Sequence, residues 1–188
     1  MTWLTPTILE GTHVRLEPAG PEHVDRLWAV AQHPEIWRYI PLPVTDRAGM
    51  ALFVEYFSAS GTYFATIDRA TDEVVGGTGF LAPDEHNRRV EIGATWITPS
   101  RQRSAVNTEA KLLQLTDAFE VLGCARVEFK TDARNERSRA ALARIGAREE
   151  GTFRKHMLLA DGTWRDSVFF SIIDSEWPDI CLQLQRRL

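Results

Sequence analysis

The chain has 188 residues, 44% hydrophobic and 26% charged, with 22 basic against 26 acidic side chains and a formal net charge of −4. That length and composition suit one soluble α/β-sized domain over residues 1–188, and the acidic balance argues against a nucleic-acid-binding protein. No stretch approaches the roughly 18 apolar residues of a membrane helix, and "MTWLTPTILEGTH" lacks the basic and apolar regions of a signal peptide.

The two cysteines, Cys124 and Cys181, stand in no metal-ligand spacing and are too few for a disulfide framework. A cytoplasmic protein with reduced thiols and no bound metal is the expectation. No repeat or low-complexity segment divides the chain.

In chain order, "HVRLEPA" (His13 to Ala19) alternates apolar and polar residues and reads as a first strand. In "GPEHVDRLWAVAQ", Val24, Leu27, Trp28 and Ala31 recur at helical spacing, and Pro21 lies early, where its missing N–H costs little. A second helix is expected from Arg47 to Ser58, with Met50, Leu52, Phe53 and Phe57 as its apolar positions. "TYFATID" and "EVVGGTGFLA" are β-rich runs joined by the turn-prone "RATD", a hairpin pattern, and "RRVEIGATWITP" continues as a strand ending at Pro99.

"SRQRSAVNTEAKLL" then leads from a basic loop into a helix whose stripe is Leu112, Leu115, Phe119 and Leu122, with Gly123 at the position of a C-terminal cap. "ARVEFKTD" sets Val127, Phe129 and Thr131 against Glu128 and Lys130, and "NERSRAALARIG" is a helix opened by Asn135 and closed by Gly146. "GTFRKHMLLADGTWRDSVFFSI" holds two strand patterns around Asp161-Gly162, a strong hairpin signal. The order β-α-α-β-β-β-α-β-α-β-β with a short tail implies a mixed α/β sheet rather than a regularly alternating one.

The loop-to-helix junction after Pro99 is the first candidate site. A helix start leaves backbone N–H donors unpaired and carries about half a positive charge, which suits the oxygens of a diphosphate. Arg101 and Arg103 can add side-chain contacts, although arginines beside a helix start are also common as solvated residues. Ser104, Ala105 and Val106 stand where glycine would ease close approach, so this backbone must keep to negative φ. Asn135 suits an N-cap, which puts Ser138 at the third position of its helix.

Taken together, "VVGGTGF", "VEIGATWITP", "QRSAVNTEAKLL", "FKTDARNERSRAALARIGAREEGTFRKH" and "DGTWRDSVFFSI", in that order, make the chain resemble the GNAT acyl-CoA N-acyltransferase superfamily. The branch it resembles contains ribosomal-protein N-terminal acetyltransferases and small-molecule relatives, and the similarity runs from "LEGTHVRLEP" to "SEWPD". The resemblance implies a largely antiparallel sheet with a V-shaped split and flanking helices, acetyl-CoA as cosubstrate, and a primary amine of a peptide or small molecule as acceptor. The family's loop pattern Gln/Arg-x-x-Gly-x-Gly/Ala falls on Gln102, Arg103, Ser104, Ala105, Val106 and Asn107, with Ala105 replacing the first glycine. It further implies that CoA lies between the strand ending near Thr98 and the one beginning near Arg126, with main-chain bonds from Trp96, Ile97 and Thr98. Asn135 would contact the pantetheine arm, and Ser138 would protonate the departing thiolate. Dimerisation is common in such folds.

Two residues are candidates for the general base. Glu91 lies on the strand leading into the cofactor loop, and alternation places Glu91, Gly93 and Thr95 on one face. His156 has a suitable titration range and lies where relatives build the acceptor side. Trp37 and Tyr39 are candidates for the acceptor mouth, Trp28 reads as core, and Arg165-Asp166 reads as an ion pair. A CoA-binding or sensing module, or an enzyme using succinyl-CoA, are the alternatives. The absence of a GK[ST] loop and of G-x-G-x-x-G disfavours a nucleotide-binding protein.

Overall fold

The computed structural model describes residues 3–188 and contains one eight-stranded sheet. Its strands are Leu9–Glu10 (β1), Val14–Pro18 (β2), Gly61–Asp68 (β3), Glu73–Asp84 (β4), Arg89–Ile97 (β5), Arg126–Asp132 (β6), Arg148–Leu158 (β7) and Trp164–Ile173 (β8). They are ordered β1-β2-β3-β4-β5-β6-β8-β7, and every neighbouring pair is antiparallel except β5 with β6. The mixed, largely antiparallel sheet expected from the sequence is the one that forms.

The helices are Val24–Val30 (α1), Pro34–Trp37 (α2), Arg47–Ala59 (α3), Ala105–Thr116 (α4), Glu136–Arg144 (α5) and Trp177–Gln185 (α6). Two apolar clusters, one on each side of the sheet, hold them. Leu27, Met50 and Phe53 from α1 and α3 pack with Tyr63, Ile67 and Trp96. Leu115, Leu142 and Leu184 from α4, α5 and α6 pack with Phe80, Phe129 and Ile172. Because β3 is covered on both faces, it is buried along almost its whole length and alternation fades there.

Caps stop and start the helices where the sequence indicates. Asp46 Oδ1 accepts from Gly49 N at 2.6 Å to open α3. Gly123 and Gly146 end the helical segments before β6 and β7 with φ of +66° and +93°, a region favourable only to glycine. The stripe beginning at Leu112 continues past α4 through a π-helical turn, Asp117–Val121.

Three elements lay outside the sequence reading. Residues 9 and 10 form a two-residue strand, Pro34–Trp37 is a short helix, and the tail is α6, whose Trp177, Ile180 and Leu184 are buried. Pro178 sits in the first turn of α6, where the missing N–H is harmless, so it does not break that helix.

Candidate active site in the sheet split

Strands β5 and β6 pair only through Arg89–Glu91 and Arg126–Glu128. Beyond Glu91 they have no mutual register, and the sheet opens. On its other side β5 carries a bulge: Gly77 faces Trp96 but Gly79 faces Gly93, so Ala94 and Thr95 share one position opposite Thr78. Ala94 takes φ +48° to make it. Tyr63 Oη locks the bulge by accepting from Trp96 Nε1 at 2.8 Å. A Cβ on Gly77 would lie 2.1 Å from that oxygen, so only glycine fits there.

The bulge overturns the simple alternation expected for β5. Val90, Ile92 and Ile97 enter the cluster under α4, and Thr95 Oγ1 meets Lys111 on the same side. Glu91 therefore lies on the opposite face from Thr95, because the extra residue at Ala94 reverses the parity of the strand. Beneath the bulge, Lys111 Nζ donates to Thr78 Oγ1 (2.9 Å), Thr95 Oγ1 (3.1 Å) and Gln114 Oε1 (2.9 Å). Burial pulls its pKa down to about 7.

On one rim, Ser104 caps α4: its Oγ accepts from Val106 N at 3.4 Å and donates to Arg101 O at 2.7 Å. Ala105 is the first residue of α4 in ordinary right-handed conformation, so it needs no glycine; the left-handed residue is the exposed Arg103, φ +62°. Arg101 pairs with Asp68 at 3.2 Å, which ties the loop to the end of β3. A groove of about 450 Å³ beside this turn is lined by Thr12, His13, Asp68, Arg69, Ser104 and Val106.

The opposite wall of the split is the start of α5. Asn135 Oδ1 accepts from Ser138 N at 3.1 Å, so Asn135 is the N-cap and Ser138 stands in the first turn, as its sequence position indicates. Gln102 spans the two walls. Its Nε2 donates to Ile97 O at 3.0 Å while its Oε1 accepts from Arg137 Nη1 at 2.7 Å. Among the three residues expected to offer main-chain bonds, Thr98 N already donates to Val75 O at 2.8 Å on the β4 side. Alternation turns the Ile97 backbone toward the split, whereas Trp96 is a buried residue that also packs on Trp37. Asn107, in the first turn of α4, is half-buried.

The other rim, where the sequence reading expects the acceptor, is the face of β6, β8 and β7 on the side of Glu91. Glu91 is 7% exposed and pairs with Lys130 at 2.8 Å. Burial pushes its carboxyl above the usual range, with Lys130 opposing. Arg165, also buried, donates from Nε to Ser167 Oγ at 2.9 Å and from Nη1 to Tyr39 O at 3.2 Å. His156 Nδ1 lies 3.0 Å from the same Ser167 Oγ. Its ring meets Phe153 and Phe169 at 5.6 and 5.5 Å between centroids. Burial, followed by the charges of Lys130 and Arg165, pulls the imidazole below its ordinary pKa. Glu91 and His156 thus share a face, with Lys130 between strands β5 and β8.

Two further readings need correction. Arg165 does not pair with Asp166, since neighbours on a strand point to opposite faces; Asp166 Oδ1 accepts from Lys155 N at 2.6 Å instead. Trp37 is a core residue, edge-on to Phe53 at 5.4 Å, which leaves half-buried Tyr39 at the mouth, with the Arg134 guanidinium 5.9 Å from its ring. Lys111, Lys130 and Ser167 were missed as site residues, and Arg165 reads from the sequence first as an ion pair and only second as an acceptor contact. Their signals existed: Lys111 lies four residues before buried Leu115 on the α4 stripe, and Arg165 and Ser167 are two apart on one strand.

A split sheet with a capped helix start on each wall and ionisable groups beyond it defines an acyl-transfer enzyme, and the acetyltransferase (GNAT) domain profile matches residues 13–148. The chain belongs to the GNAT acetyltransferase family. It is similar to an uncharacterised N-acetyltransferase, YoaA, of Bacillus subtilis, at 27% identity over 88% of this chain and 96% of the relative. It is also similar to the [ribosomal protein uS5]-alanine N-acetyltransferase of Escherichia coli, at 27% over 63% of this chain and 60% of that one. Among solved structures, a GCN5-related N-acetyltransferase from Brucella melitensis superposes with TM-score 0.92 at 34% identity, covering 98% of this chain and 86% of that one.

Proposed function

We propose that the protein transfers the acetyl group of acetyl-CoA to a primary amine, of a peptide N-terminus or a small molecule, by direct attack. The observation that carries this reading is the opening of the sheet after Glu91, with a capped helix start on each wall and an ionisable cluster on the far face. The donor set fits the cosubstrate. The α4 start and Arg103 suit its diphosphate, and Ile97, whose backbone turns toward the split, suits the amide groups of its pantetheine arm. Acetyl-CoA supplies the activated thioester.

The chain supplies positioning and proton transfers. A β5 amide near Ile97 polarises the thioester carbonyl. Glu91 takes the proton that the amine loses as its nitrogen bonds to the acetyl carbon; burial makes this carboxylate more basic than an exposed one. As the carbon–sulfur bond breaks, the Ser138 hydroxyl passes a proton to the thiolate and regains one from solvent, in the field of the α5 start. The relative named for alanine N-acetylation of ribosomal protein uS5 supports a peptide amine among the acceptors. The free thiols Cys124 and Cys181 suit a cytoplasmic setting.

Calorimetric titration with CoA, followed by thiol release from acetyl-CoA across a panel of amines, tests the reading. Saturable binding and amine-dependent release are expected. Binding without release from any amine would identify a CoA-binding module instead.

A further inference from the structure

The three residues Arg165, Ser167 and His156 form a hydrogen-bond chain whose direction can be read. A guanidinium has donors only, so Arg165 Nε–H donates to Ser167 Oγ at 2.9 Å. Ser167 is fully buried, and its hydroxyl carries one hydrogen. Apart from Arg165, its other partner among the described residues is His156 Nδ1, at 3.0 Å. A buried hydroxyl hydrogen left without an acceptor costs about 1–3 kcal/mol, so this one points at Nδ1. Nδ1 then accepts, and a neutral imidazole whose Nδ1 accepts carries its hydrogen on Nε2.

The surroundings keep that ring neutral. Partial desolvation disfavours a second proton on this otherwise exposed residue, and Lys130 on β6 and Arg165 on β8 add to it. Two carboxylates share that face and both are engaged: Glu91 on β5 by Lys130 at 2.8 Å, and Asp132 on β6, across from Ser167, by Arg134 at 2.8 Å. On the ring's own strand the neighbouring charges, Arg154 and Lys155, are cationic. Phe153 and Phe169 flank the ring. Protonating Nδ1 would strand the Ser167 hydrogen, and Nε2 already holds one, so a second proton costs the ring its bond from Ser167.

We propose that His156 is a neutral hydrogen-bond donor to the acceptor substrate rather than a general base, its Nε2–H oriented by the Arg165–Ser167 relay. Its partner is an oxygen next to the reacting nitrogen. Such a donor would favour an α-aminoacyl compound, a peptide N-terminus or amino-acid amide, over a plain alkylamine, which offers it no oxygen. The acceptor class rests on the acetyltransferase reading above; the tautomer does not.

The test has two arms. Nitrogen-15 NMR of the histidine-labelled protein near neutral pH reads the tautomer directly. Hydrogen on Nε2 is expected, with a shift toward a mixture in Ser167→Ala; hydrogen on Nδ1, or an imidazolium, overturns the relay. Steady-state assays then compare alaninamide with ethylamine, matched amines with and without the neighbouring carbonyl. His156→Leu should lower kcat/KM for alaninamide by about 10–100-fold, chiefly through KM, and lower that for ethylamine far less. His156→Gln, which keeps an N–H donor, should recover much of the loss. Equal losses for both amines in His156→Leu, with kcat falling, overturn the donor role. Release from no amine at all would sink the transferase reading, while the NMR arm would still decide the tautomer.

Discussion

The two rims of the split are built by different means. On the cofactor rim the helix caps close within a turn, Ser104 on Val106 and Asn135 on Ser138, two and three residues away, while Arg101 and Gln102 reach Asp68 and Arg137. On the acceptor rim they close across the molecule: His156 meets Ser167 across a hairpin, and Arg165 reaches Tyr39 over 126 residues. The first rim is made of helix starts, whose geometry a few residues dictate. The second is made of bulged strands, with left-handed Ala94 on β5 and Lys155 on β7 turning side chains to faces that alternation would not assign. Cofactor binding and acceptor chemistry should therefore be separable by mutation.

Glu91→Gln makes the largest separation. The substitution keeps the shape and removes the charge, so kcat/KM should fall by about 10²–10⁴-fold while CoA affinity is retained. Because burial raises the Glu91 carboxyl, the acid limb of the wild-type pH profile should lie above the ordinary carboxylate range and vanish in the variant. Steady-state rates over a pH series, beside CoA calorimetry, check this. Lost CoA binding with an unchanged rate at saturation would show that the rims are one unit.

Lys111 tests the layer beneath the bulge. Its folded pKa of about 7 lies below the ordinary 10.5 of an unfolded lysine. Between those values the unfolded chain holds a proton that the folded one has released, so this residue makes stability rise with pH across that window, by up to about 1.4 kcal/mol per unit. Below the window both states hold the proton and the full burial penalty stands. Lys111→Met should flatten that rise and stabilise the protein at the acid end of the window, the Thr78–Thr95 hydroxyl contact of 2.7 Å surviving. Urea unfolding of both proteins from about pH 7 to 10 measures the difference. An identical slope in the two would mean that Lys111 keeps its proton throughout.

The same contrast explains what the sequence made legible. Sequence pattern located helices α1, α3, α4 and α5 and the strands from β2 to β8, and Gly123, Gly146 and the Asn135 cap carried local signals that survive folding. The position of the loop that leads into α4 was legible for the same reason. Ala94 carries no such mark: it is left-handed because Gly77, Tyr63 and Trp96 fix the register of β4 against β5. Arg165 pairs away from Asp166 because the sheet assigns them opposite faces, and Trp37 was misplaced because its neighbours Phe53 and Trp96 are distant in sequence. Lysine at position 111 reads as solvated on any hydropathy pattern, and only the facing hydroxyls of Thr78 and Thr95 make it a core residue.

The smallest effect belongs to the rim that was easiest to read. Asn135→Ala removes the acceptor of the Ser138 N–H and should cost about 1 kcal/mol. If helix starts on this side are locally specified, that loss stays in α5. Native-state hydrogen exchange should then accelerate at the first-turn amides of α5 and leave those of α4 unchanged, although Arg137 and Gln102 join the two walls at 2.7 Å. Exchange rising equally at Val106 would show that this single contact transmits the loss of the cap. The cofactor rim would then be cooperative across the split, like the acceptor rim, and the distinction between local and distant construction would fail where it is best supported.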